Sequence, residues 1–435
     1  MIKKVCLFIL FIVSPYIYSQ ELQPIDTADF QIRKKLLIEY EEKHNSFYKK
    51  IKKEYRGTVK KELLNIYKTT HQEFLKNITK KRLVFDTRFT NYTDSITRIL
   101  KEVNPELKDK ELTVLISKSR IINALSIGDG IVILHLGLFK FLENDAQLIS
   151  VLSHEIAHEM LKHVSKKIKH NVELETSSEK KLLARQIKKE KYNQFDKSFS
   201  ILKNILYSDS KTHRKKEMEA DSLGYLYYKK TNLPGQNYIK SLQLLAAYDS
   251  LPNVEIDSLT YERFFNLPNQ PFKSKWLTVE NFSDYDYSKF KERINSDSIK
   301  SHPEFVERID KLKNDFIDFK TEKLDSVFAS KQFLALKKLA RKEEVANLYY
   351  LEEYGYSIQL ILLRLHKNPE DRYLKNWLGK NFLALYDAKK KYLLNRYIER
   401  IDPKEQTKDY QLFLSFLWNL NLEELKIIGD YYSEN

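Results

Sequence analysis

The chain has 435 residues, 42% of them hydrophobic, which supports a buried core and excludes wholesale disorder. Only nine glycines and ten prolines occur, which sets aside a turn-rich all-β protein and predicts a mainly α fold with a small β-sheet (α+β). The formal charge is +15, and the single cysteine, Cys6, excludes both a disulfide framework and a thiolate zinc cage.

In chain order, Lys3 and Lys4 precede an apolar run from Val5 to Val13, followed by Pro15, Tyr18 and Ser19. This predicts a signal peptide over residues 1–19, and hence a soluble protein exported across an inner membrane to a periplasmic or other extracytoplasmic space. No later run reaches the ~18 apolar residues of a membrane span. Residues 20–85 form a helical region, with apolar stripes at Leu36, Leu37 and Tyr40 and again at Leu63, Leu64 and Tyr67. Lys-rich stretches at 49–61 and 166–191 interleave glutamates and apolar residues, the pattern of solvated helix faces. No nucleic-acid module is visible, so nucleic acid is not an expected partner, and membrane association is at most peripheral.

A helix over Thr93–Leu100 stops before Asn104-Pro105. Three β-rich runs follow, Leu112–Ile116, Ile121–Ile127 and Ile131–Leu134, the last two joined by the turn Gly128-Asp129-Gly130. One long helix is expected from about Asp145 to Lys169, a charged insert over 171–203, and a helix from about Lys211 to Lys230. Residues 252–303 read as an extended surface connection. Beyond Ser301 the pattern is helical. Asn368-Pro369 and Asp402-Pro403 are about 34 residues apart, and Leu378, Gly379 and Phe382 follow the first pair, a spacing shared with tetratricopeptide repeats. A plain helical bundle fits as well. The expected division is 86–315 for a central domain and 320–435 for a C-terminal helical domain.

The sharpest signal is His154-Glu155-Ile156-Ala157-His158. In a helix, residues i and i+4 differ by about 40° around the axis, so both imidazoles leave one face and can bind one zinc ion. Glu155 is then placed to act as general base toward an attacking water. A third ligand must be His, Glu or Asp, since cysteine is unavailable. Glu217-Met218-Glu219-Ala220-Asp221 is the best source. Glu217, Ala220, Asp221, Gly224 and Tyr228 share one helix face, and Ala220 and Gly224 are small enough to admit another helix. Glu217 is the expected ligand, Asp221 the expected hydrogen-bond partner of a ligand histidine, and Glu219 is expected to face solvent. On an unbroken helix His163 falls opposite His154 and reads as a packing or surface residue. His302, in Ser301-His302-Pro303, can stabilise an oxyanion, occupy an open zinc position or only begin a helix. Arg214 can pair with a local carboxylate or assist the oxyanion.

Together these residues resemble the HtpX/CAAX prenyl endopeptidase family of zinc metallopeptidases, peptidase family M forty-eight. The resemblance runs from about Thr93 to Leu312. It covers Asn123-Ala124, Gly130, Gly137-Leu138, Leu152 through His158 with His163, Arg214 through Asp221, and Ser301-His302-Pro303. It implies a gluzincin-type core, one zinc ion held by His154, His158 and Glu217, and Glu155 as catalytic base. It also implies that the strand Ile131, Val132, Ile133 and Leu134 pairs with an extended substrate segment. The absence of membrane spans looks like the soluble periplasmic members, which join the protease to a helical repeat domain and act in envelope quality control. Expected partners are unfolded or misassembled polypeptides, including outer-membrane or secreted proteins. The long step from His158 to Glu217 and the 252–300 connection depart from the compact family pattern and leave specificity open. The rival is a non-catalytic chaperone or adaptor with a structural zinc.

Overall fold

The computed structural model describes residues 23–174, 210–248, 256–279, 305–321, 328–403 and 406–434. The expected signal peptide, most of the charged insert and His302 lie outside these residues. Among the described residues, no helix is long and apolar enough to cross a membrane.

The architecture is mainly helical around one small sheet. Helices α1 (Phe30–Glu54) and α2 (Gly57–Thr79) form a hairpin, followed by the short strand β1 (Leu83–Val84). Helix α3 (Thr87–Val103) starts where the buried Asp86 carboxylate accepts from Arg88 N–H at 3.0 Å, a side-chain N-cap. Strands β2 (Thr113–Ser117), β3 (Ala124–Gly128) and β4 (Ile131–His135) coincide with the three apolar runs. Their order is β1-β2-β4-β3, with β2 and β4 parallel and the other two pairs antiparallel.

Alternation explains the layers. Val114, Ile116, Val132 and Leu134 belong to a first core with α3 and the helices α4 (Leu136–Phe141) and α5 (Asp145–Met160). Leu115, Ile131 and Ile133 point the other way, against Tyr40, Phe74 and Ile78 of the helical hairpin. β4 is therefore buried along its whole length, as a strand covered on both faces must be. The N-terminal helices, which showed no chemistry as sequence, are the second cover of the sheet. Lys43 Nζ also donates to the Asp129 carbonyl at 2.8 Å and so grips the β3–β4 turn.

Helix α5 ends at Met160 and is not the single long helix expected. Lys162 adopts φ 55°, in the left-handed region, and α6 (His163–Leu174) starts in a new direction. Helices α7 (Ser210–Lys229) and α8 (Gln236–Tyr248) pack on α5. The described part of the segment expected as a surface connection, 256–279, instead enters a second core. Tyr261, Phe264 and Phe265 of α9 (Ser258–Phe265) and Trp276 are buried there among the C-terminal helices. After α10 (Phe305–Asp315) and the one-turn α11 (Asp318–Thr321), α12 (Lys331–Lys342) packs Phe333, Leu336 and Leu339 into the first core. Packing thus interleaves the chain across the sequence ranges expected for the two domains.

The second core is completed by α13 (Glu344–Tyr350), α14 (Tyr354–Lys367), α15 (Arg372–Lys390), α16 (Lys408–Asn419) and α17 (Leu422–Glu434). Leu378 and Phe382 are buried in it, and α15 and α17 cross where Gly379 lies on Gly429. A charged seam joins the two cores. Glu344 takes both Lys140 and Arg364, while Glu352 pairs with Lys80 at 3.0 Å and Arg82 at 3.7 Å.

Candidate metal centre

The centre is built where α5 meets α7. Asn144 caps α5 by accepting from Gln147 N–H at 3.0 Å, and the helix is buried from Ala146 through Ser153. Past Asp145 at its start, only His154, Glu155, Glu159 and Met160 of the helix are half-buried, so it meets solvent at its chemistry-bearing turns. The small face of α7 permits the approach. A Cβ on Gly224 would lie 2.8 Å from His154 Cα and 2.7 Å from Tyr238 Oη, inside contact distance. Gly224→Ala is therefore expected to force the helices apart, at about 1–3 kcal/mol by overpacking. Chemical denaturation will read this loss, and an unchanged midpoint would contradict the close crossing.

His154, His158 and Glu217 converge, with one possible ligand atom from each within 4.8 Å of the others. His154 Nε2 and His158 Nε2 are 3.0 Å apart. Each lies 3.5 Å from an oxygen of Glu217. Tetrahedral zinc with bonds of about 2.0–2.1 Å requires ligand atoms roughly 3.3 Å from one another. Two imidazoles and one carboxylate also match the donor chemistry zinc prefers. The residues therefore fit the ion.

Behind these three stands a buried ionic cluster. Arg308, on α10, is 3% exposed and donates to both oxygens of Asp221, at 2.6 and 2.7 Å. Its remaining nitrogen lies 3.1 Å from Glu217. Asp221 in turn lies 2.9 Å from His154 Nδ1, in ion-pair range but not aligned as a hydrogen bond. Burial raises the carboxyls of Glu217 and Asp221, but Arg308 and the histidines outweigh it and hold both below their ordinary range. Burial lowers His154, yet Asp221 and Glu217 overcome that and push it up to about 10. His158 is instead held well below its ordinary value by burial. The two carboxylates thus favour positive charge at the His154 ring.

Glu155 faces the sheet. Its Oε2 accepts from Ser126 N–H at 2.8 Å, and the neighbouring Glu159 accepts from Ser126 Oγ–H and Gly130 N–H, each at 2.9 Å. The helix bearing the metal-site histidines is thereby tied to β3.

The sequence pattern defining Peptidase family M48 matches residues 88–315, slightly more than half of the chain. The chain belongs to Peptidase family M48. No curated protein matches it. It is accordingly a metallopeptidase, a hydrolase of a zinc-dependent family, and its His154, His158 and Glu217 form a potential metal-binding triad. The matched span omits the helical hairpin that covers one face of this metallopeptidase's sheet.

The structure brings His154, Glu155, His158, Glu217 and Asp221 to one place, where helical spacing put them. It corrects the strand. Ile131, Val132, Ile133 and Leu134 of β4 are hydrogen-bonded to β2 on one side and β3 on the other, so they have no open edge. A fully apolar strand marks the interior of a sheet, and the edge beside α5 is β3. Arg214 pairs with Glu307 at 3.5 Å, with its side chain 44% exposed, which is the local carboxylate contact. Arg308 carries no spacing signal that ties it to Glu217 and Asp221. His163 and Glu219, expected to be a bland residue and a solvent-facing one, touch each other at 3.1 Å.

Proposed function

We propose that this metallopeptidase is a zinc endopeptidase. It hydrolyses internal peptide bonds of unfolded or misassembled envelope proteins, after export directed by residues 1–19. The observation that carries the reading is the single turn of α5 that presents His154 and His158 to Glu217 and Glu155 to the edge strand β3. In it, His154, His158 and Glu217 hold zinc. Bound zinc supplies Lewis acidity, polarising the scissile carbonyl and making water more acidic.

The chain's own groups do the rest. An extended substrate segment adds to the outer edge of β3, where backbone pairing accepts many sequences. The Ser126 N–H on that edge donates to Glu155, which places the base beside a docked backbone. Glu155 takes one proton from water as its oxygen bonds to the carbonyl carbon. It returns that proton to the amine as the C–N bond breaks. Asp221 sets its negative charge beside the ring of His154, and Arg308 keeps Glu217 ionised. Unfolded chains can offer extended backbone, whereas folded proteins have theirs already paired. The C-terminal helices, read as a tetratricopeptide-like unit around Leu378, Gly379 and Phe382, form the surface that holds such clients.

Metal analysis tests the reading. One zinc per chain is expected in the wild type, and Glu217→Ala should lose stoichiometric zinc while keeping its helical signal. A wild-type protein that folds and cleaves an unfolded polypeptide after exhaustive chelation would overturn it. Zinc binding without cleavage of any unfolded polypeptide would favour a chaperone or adaptor instead.

A further inference from the structure

The second metal-site histidine has a partner outside the triad. His158 Nε2 faces His154 and Glu217, while its Nδ1 lies 3.0 Å from Nδ1 of His163. The other nitrogen of His163, Nε2, lies 3.1 Å from Glu219 Oε2. Both rings are 3% exposed, so water does not compete freely for these contacts. Glu219 sits at the surface end of the chain, with its side chain 44% exposed and its other oxygen 3.9 Å from Lys215 Nζ.

With His163 a neutral imidazole and Glu219 a carboxylate, one distribution of protons suits this row. A carboxylate only accepts, so His163 must carry its hydrogen on Nε2 and donate it to Glu219. A neutral imidazole has one N–H, which leaves His163 Nδ1 as an acceptor. Facing it at hydrogen-bonding distance, His158 Nδ1 must then be the donor. His158 Nε2 is left with a bare lone pair aimed between His154 and Glu217. That is the tautomer a metal requires, because a nitrogen bearing hydrogen has no electron pair to give.

We propose that Glu219 and His163 are positioning residues that lock this tautomer and orientation of His158. His154 lies against Asp221 directly, and His158 reaches Glu219 through one intervening imidazole. The break in the helix makes this arrangement. Five residues along an unbroken helix, His163 would sit about 140° around the axis from His158. The left-handed Lys162 turns the chain back and lays His163 against His158 instead. The positioning role rests on the zinc reading above, but the tautomer it predicts exists without metal.

The test uses the full chain and three variants. His163→Leu removes the acceptor. His163→Gln keeps it, since a glutamine oxygen can accept from His158 and its amide can donate to Glu219. Glu219→Leu leaves the buried ring in place and removes only its half-exposed anchor. Zinc affinity is measured by competition with a chelator, and the His158 tautomer by ¹⁵N NMR of metal-free, histidine-labelled protein. His163→Leu and Glu219→Leu should each bind zinc about 10–100-fold more weakly. Both should lose the uniform Nδ1–H signal of His158, and His163→Gln should restore most of both. Unchanged zinc affinity and an unchanged His158 tautomer in Glu219→Leu would overturn the proposal. A wild type that binds no zinc, with a His158 tautomer that still depends on His163, would support the lock and overturn the zinc reading.

Discussion

Replacing Arg308 with methionine is expected to destabilise the metal-free protein by about 3–5 kcal/mol, the cost of leaving one side of a buried ion pair alone. Asp221 is 1% exposed and Glu217 is 6% exposed. Arg308 contacts both, through three of its nitrogens, at 2.6, 2.7 and 3.1 Å. Methionine fills similar space but leaves two adjacent carboxylates with only His154 for charge. A domain's total stability is about 5–15 kcal/mol, so a loss of this size is visible in any denaturant titration. Bound zinc contributes positive charge at the same cluster, so the deficit should narrow when the metal is present. The pH dependence carries a sign of its own. Glu217 and Asp221 bind protons less readily folded than unfolded, despite burial, because Arg308 opposes it. Their contribution to stability is therefore present above the ordinary carboxylate range near pH 4 and is lost as pH falls below it. In Arg308→Met the depression is removed, and acid destabilisation should begin at higher pH. An unchanged midpoint and an unchanged acid limb would show that this cluster does not hold α10 to α7.

Glu155→Gln is expected to lower the rate of peptide hydrolysis by about 10²–10⁴-fold, the usual worth of a positioned general base. Glutamine has nearly the same shape and keeps an oxygen that can accept from Ser126 N–H, so the tie to β3 survives. Zinc content and thermal midpoint should match the wild type. The loss should fall on kcat more than on KM, since the base acts in the transition state rather than in docking. Turnover equal to wild type would remove Glu155 from the mechanism. A fall in zinc content along with activity would place it in the metal site instead.

What the sequence revealed here was whatever helical period alone can encode. Two histidines four apart, a carboxylate between them and the small face of Ala220 and Gly224 are local patterns. They map directly onto one turn of α5 and one face of α7. The remaining features depend on contacts that no period records. Pairing β2 with β4 rather than with β3 is a non-local choice, and it moved the edge from Ile131–Leu134 to Ala124–Gly128. The break at Lys162 has no glycine or proline to announce it, so His163 was placed on the wrong side of a helix that had already ended. Arg308 reaches Asp221 across 87 positions. The polar, proline-bearing stretch around Trp276 read as surface because its buried aromatics have no period, and their partners lie more than a hundred residues onward.

That last stretch imposes an order on biosynthesis. Tyr432 donates its hydroxyl proton to the carbonyl of Phe264, 168 positions earlier, in the same core that encloses Trp276. Translation delivers His154, Glu155, His158 and Glu217 long before α16 and α17 exist. The aromatic segment 256–277 must wait, uncovered, until those helices have been made. A chain stopped between residues 280 and 400 carries all four of these side chains but lacks part of the frame around them. Its uncovered aromatics are a feature it shares with the unfolded polypeptides proposed as substrates of the finished enzyme.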